Sequence, residues 1–305
     1  MYDICIIGAG FAGLTAAIYA KRAGKNITVY DKMGYGGQII NASKVENYPS
    51  KPSISGFDLA TDLYNHAQSL GISIEMSEIL SVCPKTGENT GFDLQTKEGQ
   101  ISAKKLIIAT GASHKEAGIK GEDKYKGAGV SYCATCDGAL FKGRIVAVIG
   151  GGNTALYNAL YLSEICSKVY ILHRREEYRA EKHVIDSAKA KGNIVFISNV
   201  SIDEIAGSDT VEKIVYHFNR EDSAPQCIDT DGVFISVGNS PNTEIFSNLV
   251  NTDGNGYIIA SEDCKTSHSG IYVAGDCRTK PVRQLTTAVA DGTVAAMSCI
   301  DALNN

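Results

Sequence analysis

The sequence predicts an α/β fold of two parallel-sheet domains, the second inserted into the first. Three observations carry that expectation. Short apolar runs alternate with helical stretches along 305 residues punctuated by 31 glycines. A strand–helix–strand pattern near the start returns in the middle of the chain, each time with a glycine-rich turn between strand and helix. The two turns, at Gly8 and Gly150, stand 142 positions apart, which suits a duplicated domain and is too long for a solenoid repeat.

Residues 3–7 read as a buried parallel strand, 13–23 as an alanine-rich helix packed close to it and 26–30 as the next strand. A helix over about 57–69 and a hairpin turning at Glu98-Gly99 follow, and the strand at 106–109 ends in Thr110-Gly111. The second unit runs through a strand at 144–149, a helix at 153–165 and a strand at 168–172. Several short strands come next, the last at 232–237. The chain closes with a strand at 271–274, then Gly275-Asp276, then a long helix covering much of 284–303. We place the inserted domain at 115–243, leaving 1–114 and 244–305 as the discontinuous outer one.

Composition bounds the function. An apolar fraction of 44% and a charged fraction of 21% are ordinary for a globular chain and exclude disordered or collagenous classes. A net charge of -5 offers no field for holding nucleic acid or an anionic membrane. No basic and apolar leader precedes the first strand, and no uncharged apolar run approaches membrane-spanning length, so a cytoplasmic location is expected.

Gly8-Ala9-Gly10-Phe11-Ala12-Gly13 lies between a strand and a helix, the context in which backbone N–H groups and the helix dipole hold a pyrophosphate. Gly150-Gly151-Gly152-Asn153-Thr154-Ala155 repeats the arrangement as G-x-G-x-x-A. The residue 23 positions after each first glycine separates the ligands. Asp31 suits ribose hydroxyls and repels a 2′-phosphate, whereas the second unit offers His173-Arg174-Arg175-Glu176-Glu177-Tyr178-Arg179. Guanidinium forks suit a phosphate dianion, although Glu176 and Glu177 also fit a solvated charged loop. FAD at the first site and NADPH at the second follow, with Gly275-Asp276 as a further contact to the flavin's phosphate–ribitol region.

Nine cysteines are present, and only Cys133 and Cys136 form a close pair, within Ser131-Tyr132-Cys133-Ala134-Thr135-Cys136-Asp137-Gly138. The C-x-x-C spacing brings two sulfurs within disulfide reach if it starts a helix, whose dipole would favour the thiolate. Asp137 beside the pair is placed to pass a proton to a leaving thiolate. A zinc site needs four ligands. The other cysteines are solitary and the six histidines form no ligand-spaced pair, so no metal is expected.

Taken with Gly36-Gly37-Gln38, Glu46-Asn47-Tyr48-Pro49, Ala109-Thr110-Gly111, Ala274-Gly275-Asp276 and Arg283-Gln284, these motifs make the chain resemble the low-molecular-weight bacterial thioredoxin reductases from end to end. The resemblance implies electron passage from NADPH through FAD and a Cys133–Cys136 disulfide to thioredoxin. Cys136 would face the flavin, Cys133 would attack thioredoxin's disulfide and Asp137 would act as acid/base. It also implies flavin contacts at Gly37, Gln38, Asn47, Thr110, Gly111, Asp276, Arg283 and Gln284. A homodimer and rotation of one domain against the other, with hinges near 112–118 and 240–246, are implied too. The chain departs from the family where Phe11 replaces a usual proline and where Tyr157 and Asn158 replace acidic residues. A ferredoxin-dependent relative without NADPH use and a flavin dithiol oxidase are the competing readings. A non-catalytic flavoprotein would leave Cys133, Cys136 and Asp137 without a use.

Overall fold

In the first strand of each half, successive apolar side chains enter different hydrophobic clusters. Ile4 and Ile6 enter one while Cys5 and Ile7 enter another; Val146 and Val148 enter a third while Ala147 and Ile149 enter a fourth. A strand with no polar face must lie in a sheet covered on both sides, and parallel sheets satisfy that requirement. The computed structural model describes residues 1–42, 44–85, 91–220 and 223–305.

The chain begins with β1 (Tyr2–Ile7), α1 (Phe11–Arg22) and β2 (Ile27–Tyr30), with Ile7 paired to Tyr30 in parallel register. Helix α2 (Gly56–Ser69) starts at Ser55, whose hydroxyl accepts from the Asp58 N–H at 3.0 Å. Short strands β3 (Ile74–Glu75), β4 (Ile79–Pro84), β5 (Phe92–Thr96) and β6 (Gln100–Ile108) follow. β5 and β6 form the expected hairpin, with Gln95 opposite Gln100. Only the apolar end of β6 was legible in the sequence, because its first half alternates polar and apolar residues.

After β7 (Ala112–His114) come β8 (Val130–Ser131), the single-turn α3 (Ala134–Asp137), β9 (Ile145–Ile149), α4 (Asn153–Ser163), β10 (Lys168–His173), α5 (Lys182–Lys189) and β11 (Ile194–Ser198). The short strands expected before residue 232 prove to be an antiparallel meander of β12 (Val200–Gly207), β13 (Val211–Phe218) and β14 (Gln226–Asp229). Then β15 (Gly232–Ile235), β16 (Asn239–Pro241), β17 (Ile271–Val273) and α6 (Leu285–Asn304) close the chain.

Two compact units result, one from Met1–Ser113 with Ser240–Asn305 and the other from His114–Asn239. In the first, strands run β3-β2-β1-β6-β5-β4, with β17 also paired to β6. In the second, a five-stranded parallel sheet runs β11-β10-β9-β15-β8. β7 and β16, where the chain passes between units, pair with each other. Among the described residues, no helix is long and apolar enough to cross a membrane.

In the first unit α6 crosses α1 so closely that a Cβ on Gly292 would lie 2.2 Å from the Ala12 carbonyl oxygen. The next residue back, Asp291, is buried and held by two cations. Arg278 donates to both its oxygens at 2.8 and 2.9 Å, and Lys280 donates at 2.7 Å. Asp291 also accepts from the Gly275 N–H at 3.0 Å, which fixes the turn after β17. Burial alone would push its carboxyl pKa up, but the bonds from Arg278 and Lys280 outweigh it and hold the group below the usual carboxylate range.

Asp291→Asn is therefore expected to cost roughly 3–5 kcal/mol, because it strands two buried cations, and urea unfolding of this variant checks it. The sign of the pH dependence follows from the lowered pKa. The contribution is present above the ordinary carboxylate pKa of about 3.9 and is lost as pH falls through the depressed value.

Candidate functional site

The two glycine loops share one geometry. Gly8 (φ +109°) and Gly150 (φ +150°) occupy backbone conformations that side chains rarely adopt. A Cβ on Gly8 would lie 2.3 Å from the Ala109 carbonyl oxygen, and one on Gly150 would lie 2.5 Å from that of Ser236. Gly13 is equally constrained, its Cβ position falling 1.8 Å from the Gly8 oxygen. Gly10 and Gly152 are different. Their φ angles of -76° and -98° suit any residue, and among the described residues nothing beyond the adjoining backbone lies within 4 Å of a Cβ at either. Neither conformation nor packing explains glycine there, whereas close approach of a phosphate group to the backbone at the start of α1 and α4 does. Both loops fit a dinucleotide.

Around the first loop, Asp31 accepts from the Ala9 and Met33 N–H groups, each at 2.8 Å, which ties its carboxylate to the loop. Gly37 (φ +66°) approaches Gly10, and Gln38 donates to the Ala112 carbonyl. Asn47 and Gln284, 237 positions apart, meet through a 3.2 Å hydrogen bond. Thr110 and Gly111 are braced by Asn242, which accepts from the Thr110 hydroxyl at 2.7 Å and donates to the Gly111 carbonyl at 3.1 Å. Ala12 is buried against Gly275 and Gly292, so its side chain packs and only its backbone is available to a ligand. Arg283 donates to the Asp276 and Arg278 carbonyls at 3.2 and 3.1 Å and lies over the Tyr257 ring, so it holds the Gly275-Asp276 turn. Phe11 is buried near Tyr48, an apolar replacement absorbed by local packing.

The second site divides its basic segment in two. Arg174, Arg175 and Arg179 are exposed, and among the described residues no carboxylate forms an ion pair with them. Glu176 and Glu177 thus leave all three guanidinium groups available. His173 is buried instead, with its Nε2 hydrogen-bonded to the Glu177 carbonyl at 3.2 Å. Burial, opposed by that bond, lowers its pKa, and the nearby arginines lower it further. Its ring fills the space beside Gly151, where a Cβ would lie 2.2 Å away, so it packs under the loop. Asn153 bonds reciprocally with Glu181 at 2.8 and 3.1 Å, fixing the entry to α5, while Thr154 is exposed and Ala155 buried. Asn158 donates to the Ser236 hydroxyl at 2.9 Å, and Tyr157 points to solvent.

Cys133 and Cys136 are joined in a disulfide with Cα atoms 5.3 Å apart. They start a helix, as the spacing requires, but it is one turn long and accrues little macrodipole. The local donor is the Cys136 N–H, 3.2 Å from the Cys133 sulfur. Asp137 is half-buried, and burial raises its carboxyl pKa while a hydrogen bond from Ser131 draws it partly back. Ser131, Asn242 and the Arg278–Asp291–Lys280 cluster were not singled out from the sequence. Their partners are set by strand ends and a helix crossing, which no local pattern records.

The family described as pyridine nucleotide-disulphide oxidoreductase matches residues 2–292. The chain is 40% identical over 302 residues to the thioredoxin reductase of Listeria monocytogenes, covering 98% of this chain and 92% of the relative. It is 37% identical over 304 residues to that of Mycoplasma pneumoniae, covering 99% and 96%. The crystal structure of thioredoxin reductase from Streptococcus pyogenes superposes with a TM-score of 0.93 at 37% identity, covering 100% of this chain and 98% of that one.

Gly10→Ala and Gly152→Ala are expected to change stability by less than about 1 kcal/mol, since each adds a methyl in open space at a helix N-cap. Each is expected to weaken its dinucleotide. Gly13→Ala must displace backbone and should cost more than about 2 kcal/mol. Thermal unfolding of the ligand-free protein, alongside flavin and nucleotide titrations, separates the two classes.

Proposed function

The chain belongs to the pyridine nucleotide-disulphide oxidoreductase family, and we propose that it is a thioredoxin-disulfide reductase with FAD at the first glycine loop and NADPH at the second. The observation that carries the reading is the combination of two loops of one geometry with a Cys133–Cys136 disulfide and an adjoining half-buried carboxyl. A bound flavin supplies two-electron exchange between nicotinamide and disulfide. The residues of the chain do the rest. The N–H groups at the start of α1 receive the FAD pyrophosphate, Asp31 the adenosine ribose, and Gly37, Gln38, Asn47, Thr110, Gly111, Asp276, Arg283 and Gln284 line or brace the flavin. At the second site Gly150, Gly152, Asn153, Thr154 and Ala155 form the pyrophosphate turn. Arg174, Arg175 and Arg179 take the 2′-phosphate above the buried His173.

In the reduced enzyme, the Cys133 thiolate is stabilised by the Cys136 N–H and attacks one sulfur of thioredoxin's disulfide. A mixed disulfide forms and the other thioredoxin sulfur leaves as a thiolate, taking a proton from Asp137. The Cys136 thiol then gives its proton to the Asp137 carboxylate and, as the thiolate, displaces the second thioredoxin sulfur, which takes its proton from solvent; the Cys133–Cys136 disulfide and the Asp137 acid are both restored. The resemblance to bacterial thioredoxin reductases also supports a cytoplasmic homodimer.

Anaerobic titration of the FAD-loaded protein with NADPH should bleach the visible flavin band, and oxidised thioredoxin should restore it. Bleaching by reduced ferredoxin but by neither NADPH nor NADH would remove NADPH from the reading. Cys136→Ser should abolish turnover while keeping the flavin. Combined Arg174→Ala and Arg175→Ala should raise KM for NADPH about 10–100-fold, from the loss of charge-assisted hydrogen bonds. KM for NADH should stay within about twofold, because NADH has no 2′-phosphate for the arginines to hold.

A further inference from the structure

The hydroxyl of Ser131 stands between the backbone of the cysteine pair and the carboxyl of Asp137. It donates to Asp137 Oδ2 at 2.6 Å and accepts from the Cys133 N–H at 3.1 Å. The residue is 6% exposed, so water competes poorly for either bond. A second acceptor, the Cys133 carbonyl oxygen, lies 3.4 Å from the same hydroxyl. We propose that Ser131 is a positioning residue for disulfide exchange, tying the Asp137 carboxyl to the Cys133 end of the pair and turning its own hydroxyl as that carboxyl gains and loses its proton. The inference rests on the reading of Asp137 as the proton donor.

While Asp137 is ionised, the Ser131 O–H donates to it. Once it is protonated, the carboxyl O–H donates to Ser131 Oγ and the serine hydroxyl turns to the Cys133 carbonyl. Delivery of the proton breaks the carboxyl O–H bond and makes an S–H bond on the departing thiolate. Ser131 then swings back and caps the new carboxylate, so a half-buried charge is not left without a donor.

The surroundings leave this pairing to act undisturbed. Cys133, the N-cap of α3, and Cys136 within it are joined to each other. α4 brings Leu162 and Tyr161 against Gly138. Burial raises the pKa of the Asp137 carboxyl, and the Ser131 hydrogen bond opposes it.

The test follows Asp137 in the FAD-loaded enzyme by NMR of 13C-labelled aspartate carboxyls, assigned with Asp137→Asn, alongside the pH profile of single-turnover thioredoxin reduction. The Ser131 bond favours the ionised carboxyl, so Ser131→Ala should raise the Asp137 titration midpoint. The alkaline limb of the rate should rise by the same amount, and the plateau rate should fall about tenfold. Ser131→Thr, which keeps a hydroxyl, should restore both. An unmoved Asp137 midpoint in Ser131→Ala would overturn the proposal, as would equal slowing in the Ala and Thr variants with the wild-type pH limb. An Asp137→Asn enzyme reacting at the wild-type rate would instead take down the reading of Asp137 as the acid. The NMR midpoint in Ser131→Ala would still report whether the two side chains are coupled.

Discussion

Each half of this protein depends on one close approach, in which the carbonyl at the end of a neighbouring parallel strand occupies the place of a side chain on the first glycine of the loop. The Ala109 oxygen does this at Gly8 and the Ser236 oxygen at Gly150. Only glycine permits both the contact and the positive φ, so the strand can turn at once into a helix that starts directly over the sheet edge. The carboxyl ends of the other strands then deliver their residues to the same rim. Asp31, Thr110-Gly111 and Gly275-Asp276 arrive there in one unit, and His173 with its arginines arrives there in the other. Loss of that contact would detach the chemistry from the scaffold.

From this common plan the two sites diverge through a few side chains. A carboxylate at the end of β2 spends its oxygens on loop N–H groups, whereas the equivalent imidazole at the end of β10 is buried under a glycine, with three exposed arginines beyond it. The third loop position is glycine where a Cβ would strike the Gly8 carbonyl, and alanine where the second loop has room for a methyl. The replacements at Phe11 and Asn158 also find partners, in an aromatic contact and a hydrogen bond to Ser236. These two departures from the usual family residues are absorbed locally, Tyr157 stays exposed, and the glycines that set the turn are unaltered.

Both glycine loops, the disulfide pair and most strands were legible in the sequence because each is a short-range pattern. Alternating apolar runs mark strands, and glycines mark turns that nothing else fits. The antiparallel meander over 200–229 was not legible as such, since its strands are half-exposed and carry polar residues. Nor was the single-turn length of α3, because propensity over four residues decides nothing. The contacts that complete the sites join distant positions, as Asn47 with Gln284 and Asn242 with Thr110 do. His173 reads as part of the nucleotide-binding segment by its spacing from Gly150, but its depth beneath Gly151 is a property of packing alone.

Nine cysteines in a thiol-exchange protein pose a problem of selectivity, and burial answers most of it. A thiol reacts as its thiolate, so a raised pKa silences it. Burial pushes Cys264 and Cys299 up to about 12 and Cys166 and Cys277 to about 11, and it raises Cys5 as well. Cys83 and Cys227 are exposed, the first on β4 and the second on β14, and neither belongs to a C-x-x-C pair. Cys133 and Cys136 differ from these single thiols in that the two sulfurs, a backbone N–H and a half-buried carboxyl occupy five consecutive residues. The apolar core that stabilises the two sheets is thus also what holds five of the nine cysteines back as unreactive thiols.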